Sequence, residues 1–204
     1  DRSALDRVFA PDRRRILAPR SMGWTVVDEY DRVERAGPDL VIAEPGARKW
    51  LRCDVRHGRI RFEARMDFLR WKAPPTLANE PVLYPFPIVE GTASFFRLLA
   101  TYGDEVGLDH GRVRCSLGLW RPQGLRLGPH RPGTIAWDFG GVHWQPAHDN
   151  TNVERTDDVA WSVLRESSDR VARTFVTHVY EDFGYDERHV PFWSDADSRF
   201  VFAS

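Results

Sequence analysis

The stretch from Thr134 to Asn150 carries the residue types best suited to chemistry. It gathers Trp137, Asp138, His143, Trp144, His148 and Asp149 around the pair Gly140-Gly141. Asp138 lies between Trp137 and Phe139 in a run that alternates like a strand. A carboxyl group there that faces a closed cavity is raised in pKa by burial and becomes a usable acid or base. In an extended run over 171–180, His178 shares a face with Thr174, Val176 and Tyr180. That mixture of apolar and hydrogen-bonding groups suits a cavity lining; it equally suits a core histidine satisfied by a neighbouring tyrosine. Asp138 and His178 are therefore the predicted acid and base, with Arg173 steadying developing negative charge. Trp144 stands in a polar loop with His143 and Gln145 and is predicted to stack on substrate. Trp137, His143, Tyr180 and Glu90 complete the predicted binding set. Glu90 is explained equally well by the dipole of a helix starting just after it.

His143, His148 and Asp149 could instead hold a divalent transition metal with an open position for catalysis. Their spacing lacks the compact H-x-H form of strand-based sites, and no H-E-x-x-H occurs. No cofactor is the favoured expectation. G-x-S-x-G, G-x-G-x-x-G and C-x-x-C are also absent. Cys53 and Cys115 fall in phase with apolar neighbours and read as buried free thiols.

The elements that must position these groups read mostly as strands. Arg59 to Phe68 alternates cleanly: Ile60, Phe62, Ala64, Met66 and Phe68 against Arg59, Arg61, Glu63, Arg65 and Asp67. Such alternation marks antiparallel sheet with one wet face. Strands are also predicted over 24–30, 39–43, 50–55, 113–119 and 134–139, with a turn at His57-Gly58 and a short final strand at 200–202. Residues 159–164 fit either helical or strand spacing. The density of β-branched and aromatic residues over 171–180 favours strand, so the two runs are predicted as a hairpin joined by 166–169. One main helix is predicted over about 92–102, capped by Thr92 or Ser94 and stopped by Gly103. Five prolines between Lys72 and Glu90 argue for a stiff excursion without regular structure.

The expected architecture is thus a single mainly β domain over 1–204. It is an antiparallel sandwich of jelly-roll type or a calycin-like barrel, with a short N-terminal helical segment in 1–20 and the proline-rich excursion at 72–90. The expected function is a small-molecule enzyme of isomerase, cyclase, lyase or hydrolase type, its pocket inside the barrel or between the sheets. Two alternatives stand beside it. Eight tryptophans in 204 residues suit a binding module for carbohydrate or another ring-shaped ligand. The histidines suit a metal-dependent oxygenase or lyase.

A formal net charge of -1 gives no global pull toward nucleic acid or an anionic membrane. Basic residues are almost all arginine, the better bidentate partner for carboxylate and phosphate, yet spread along the chain. No apolar run approaches spanning length. The expected setting is cytoplasmic, with a small molecule as ligand and a homodimer possible.

Overall fold

The structure, a computed structural model, describes residues 7–10, 32–36, 39–43, 49–54, 57–65, 70–71, 81–128 and 144–202. The predicted strands at 24–30 and 134–139, and most of the N-terminal helical segment, lie outside them.

Strands β1 (Arg32–Ala36), β2 (Asp39–Ala43), β3 (Lys49–Asp54) and β4 (Arg59–Ala64) form an antiparallel meander in sequence order. The turn at His57-Gly58 closes β3 onto β4. Gly58 there has φ +61, a conformation that glycine adopts without steric cost. Short β5 (Arg70–Trp71) and β6 (Val82–Leu83) lead into helix α1 (Pro85–Glu105). A nine-residue ribbon follows, with β7 (Arg112–Trp120) paired antiparallel to β9 (Asn152–Ala160), while β8 (Arg126–Leu127) runs parallel to β6. Helix α2 (Trp161–Asp182) starts directly from β9. A 3-10 turn at Glu187–His189 then reaches a small hairpin, β10 (Trp193–Ser194) and β11 (Arg199–Phe200).

Among the described residues there is neither a sandwich nor a barrel. The described residues form two long helices and four small sheets of two to four strands, none closed on itself. The apolar faces of the sheets are covered by helices rather than by a second sheet. Leu98 of α1 joins Val8, Phe9, Ile42, Leu51 and Cys53 in one buried cluster. The opposite side of α1, through Phe86, Val89, Ala93 and Phe96, joins Phe175, Val176, Val179 and Tyr180 of α2 and the inward residues Cys115, Leu119, Val153 and Val159 of the ribbon. A helix clad on both sides buries most of its residues, and α1 does so.

Two sequence expectations fail for identifiable reasons. The main helix begins at Pro85, not near Thr92, so the last part of the proline-rich run is helical. Proline lacks an N–H that the first turn does not need, and its fixed φ suits a helix start. The predicted hairpin over 159–180 is instead the end of β9 followed by α2. Burial of Ala172, Phe175, Val176, Val179 and Tyr180 recurs at three and four residues, which is the helical period. Packing against α1 thus overrides the β propensity of the run. The chain does break at 166–169, as Ser167 (φ -149, ψ 41) interrupts the helix, but the break joins helix to helix.

Gly103 marks where α1 meets the start of α2. A Cβ built there would lie 2.7 Å and 2.9 Å from the ring of the buried Trp161. Alanine in a helix interior normally gains up to about 1 kcal/mol over glycine. Here the indole must move, and overpacking costs about 1–3 kcal/mol. Gly103→Ala is therefore expected to lower the urea midpoint of unfolding; an unchanged or raised midpoint would show that the helices are not held this close.

Candidate functional site

An open cleft of about 530 Å³ lies between the outer face of α2 and the C-terminal hairpin. Its size falls within the range of small-molecule sites, although its walls are polar and it opens widely to solvent. Arg170, Arg173, Thr174, Thr177 and Glu181 line one wall. Their spacing places them on one stripe of α2, next to the stripe that packs on α1. Arg155 of β9 enters from the ribbon, and Trp193, Asp195 and Ser198 enter from the hairpin.

The hairpin owes its place to a latch between the helices. Arg97 of α1 donates from Nε and Nη2 to the two carboxylate oxygens of Asp169, at 2.7 Å and 2.6 Å. The same Nη2 donates to the carbonyl of Phe200 at 3.1 Å, and the N–H of Phe200 donates to Asp169 Oδ2 at 2.9 Å. Asp169 sits two residues beyond the break at Ser167, so the break turns its carboxylate inward to both partners. Phe192, with φ +66, leads into the hairpin, and Ser198, with φ +52, turns its far end. Left-handed backbone is unfavourable for a bulky residue and is retained where surrounding contacts impose it. Phe192 packs on Phe86 and Phe202 and accepts a hydrogen bond from the N–H of Val201. These contacts set the next residue, Trp193, against Arg173.

The three guanidinium groups differ in how well they are satisfied. Arg155 donates to Asp157 at 2.7 Å and stands over the Phe175 ring. Arg170 donates to the Ser198 hydroxyl at 2.9 Å. Arg173 lies 4.4 Å above the Trp193 ring, a cation–π contact. Its Nε is buried and has no hydrogen-bond partner among the described residues. Its carboxylate neighbours stay beyond hydrogen-bond length, Glu187 at 3.7 Å and Asp195 at 3.6 Å. Those side chains are 62% and 89% exposed. Solvated pairs of this kind contribute little, so a ligand can displace them.

Of the described members of the predicted catalytic set, Arg173 lines this cleft and His178 does not. Asp138, together with Trp137 and His143, lies outside the described residues. His178 is on α2 and not on a strand. It lies about 140° around the helix from Arg173, with Nε2 3.9 Å from Asp182. Tyr180 is fully buried; its hydroxyl has no hydrogen-bond partner among the described residues, and burial pushes its pKa well above the ordinary phenol value. It is thus held protonated in the core and cannot act as a base. Trp144 is half-buried in the irregular segment 144–150 and is not among the residues lining the cleft. Glu90 is buried inside α1 more than a turn past Pro85. Interaction with a helix N-terminus fades beyond the first turn, so the dipole does not explain it. Asp149 is exposed, and His148 is buried, stacked on Phe183 at 4.6 Å.

These positions correct the functional expectations. With no barrel or sandwich, the predicted enclosed pocket has no place in the fold, and a β-sandwich carbohydrate module falls with it. Among the described residues, no group of three or more His, Cys, Asp or Glu gathers where a metal ion could sit. His143 of the predicted metal set lies outside the described residues, and His148 and Asp149 form no such group by themselves. No helix of the described residues is long and apolar enough to cross a membrane. The sequence reading missed Arg155, Arg170, Thr177, Glu181 and Trp193. The signal for four of the wall residues was the polar series 170, 173, 177, 181, which is legible only at helical period.

No family model, curated protein or solved structure matches this chain.

Burial disfavours thiolate chemistry at Cys115 near neutral pH. Both cysteines are buried and are not joined in a disulfide. Burial, and then the charges of Asp158 and Asp157, raise the Cys115 thiol from 9.0 to about 11. The fold holds this proton more tightly than the unfolded chain does. The resulting contribution to stability is complete below pH 9.0 and is lost as pH rises to about 11. Alkylation of Cys115, followed by peptide mass spectrometry, is expected to be slow at pH 7 and to rise steeply near pH 11. Rapid modification at neutral pH in the folded protein would contradict this.

Proposed function

We propose that the cleft of α2 and the C-terminal hairpin binds a small molecule bearing a carboxylate or phosphate group. The observation that carries this reading is Arg173, a guanidinium packed on Trp193, with an Nε buried and unpartnered among the described residues and only loose, solvated counter-charges. A planar fork held only by loose, exposed carboxylates is suited to bidentate recognition of an anionic oxygen pair. Arg170 and Arg155 stand on either side, and the Thr174 and Thr177 hydroxyls lie between turns of the same wall. The backbone strain at Phe192 and Ser198 supports the assignment, because such residues concentrate at binding sites.

The proposed partner is a small molecule and not nucleic acid. Three arginines share the cleft with Glu181, Glu187 and Asp195, which leaves no net positive field to hold a polyanion. Thermal-shift titration of the whole chain with acetate, caproate, citrate and inorganic phosphate, each against matched chloride, tests the reading. Stabilisation by at least one anion beyond the chloride control is expected; equal melting temperatures throughout would end it.

A further inference from the structure

Glu181 does not fit an anion site by itself. Its carboxylate makes no hydrogen bond or ion pair among the described residues, while Glu187 and Asp195 both stand beside Arg173. It lies two turns beyond Arg173 on the same wall, about 12 Å along the axis, with Thr177 between them. Thr174 turns its hydroxyl back to the carbonyl four residues earlier, at 3.1 Å. The Thr177 hydroxyl makes no such bond among the described residues and stays available to a ligand. The wall therefore presents, at successive turns, a cation, a hydroxyl and an anion, each short of partners.

A ligand with only a negative group gains nothing from Glu181. For a ligand that also carries an ammonium, the same carboxylate becomes a second anchor. We infer that the cleft selects a zwitterion: a small amine-bearing acid, its anionic group on Arg173 and its ammonium on Glu181. This inference rests on the anion-site reading and narrows it to a ligand class.

The test uses matched probes that differ only in the amine: caproate against ε-aminocaproate, and butyrate against γ-aminobutyrate. Affinities are measured by calorimetry or NMR titration on wild type and on Glu181→Gln, an exposed position where folding is not at stake. In wild type, the amine-bearing member of at least one pair is expected to bind at least about threefold tighter. Glu181→Gln is expected to weaken that member and to leave the simple acid unchanged or tighter. Equal binding within both pairs, or a parallel response of both members to the substitution, overturns the zwitterion while leaving the anion site standing. If neither the acids nor phosphate bind wild type, the anion-site reading fails and the inference fails with it.

Discussion

Replacing Asp169 with alanine is expected to lower the unfolding free energy by about 3 kcal/mol or more, the cost of removing one member of a largely buried pair. For a chain of this length that corresponds to a fall in melting temperature of about 6–12 °C. The Asp169 and Arg97 side chains are 11% and 27% exposed, so solvent replaces little of what is lost. Arg97 is left as a partly buried charge, and the N–H of Phe200 loses its acceptor. The hairpin should loosen along with the global loss, because Asp169 and Arg97 hold both backbone groups of Phe200. Trp193 sits on that hairpin, so its fluorescence should shift before the main transition. A double-mutant cycle with Arg97→Ala is expected to show strong coupling, as both residues belong to one network. Additive losses, or a melting temperature within a degree or two of wild type, would show that the latch does not hold the hairpin.

Arg173→Gln is expected to weaken the best anion of the panel by about tenfold to a hundredfold, the range for losing a charge-assisted, bidentate contact. Glutamine keeps much of the side chain's reach and its hydrogen-bonding capacity but removes the charge and the fork. Stability should fall only modestly: the counter-charges are loosely held and exposed, and the lost cation–π contact with Trp193 costs about 0.5–2 kcal/mol. Arg173→Lys separates charge from geometry. A lysine retains attraction as a point charge but cannot present two parallel donors, so it should recover only part of the affinity. Wild-type affinity in Arg173→Gln would remove the residue on which the site assignment rests. Full recovery in Arg173→Lys would reduce its role to charge alone.

The two experiments probe one construction from opposite ends. Phe192 and the Asp169 latch hold the hairpin against α2, and the hairpin holds Trp193 beneath Arg173. Loosening the latch should therefore cost affinity as well as stability, whereas changing Arg173 should cost mainly affinity. That asymmetry separates a built site from a chance gathering of surface arginines.

Much of the strand content was legible in the residues themselves. The alternation over 59–64, the turn at His57-Gly58 and the inward phase of Cys53 and Cys115 all follow from side chains pointing to opposite faces of a strand, a property of the local backbone. Local chemistry also determined the balanced charge and the absence of familiar catalytic spacings. What covers those strands is decided only in three dimensions. Residues 171–180 hold two overlapping patterns, one with period two and one with helical period. The second prevails because α1 offers Phe86, Val89 and Phe96 as a surface for Phe175, Val176 and Tyr180. A partner more than seventy residues away cannot be read from a local window. With the helix in place, His178 turns away from Arg173, and Arg170, Thr177 and Glu181 come into line beside it. The site was therefore hidden in a polar periodicity whose meaning depended on long-range packing.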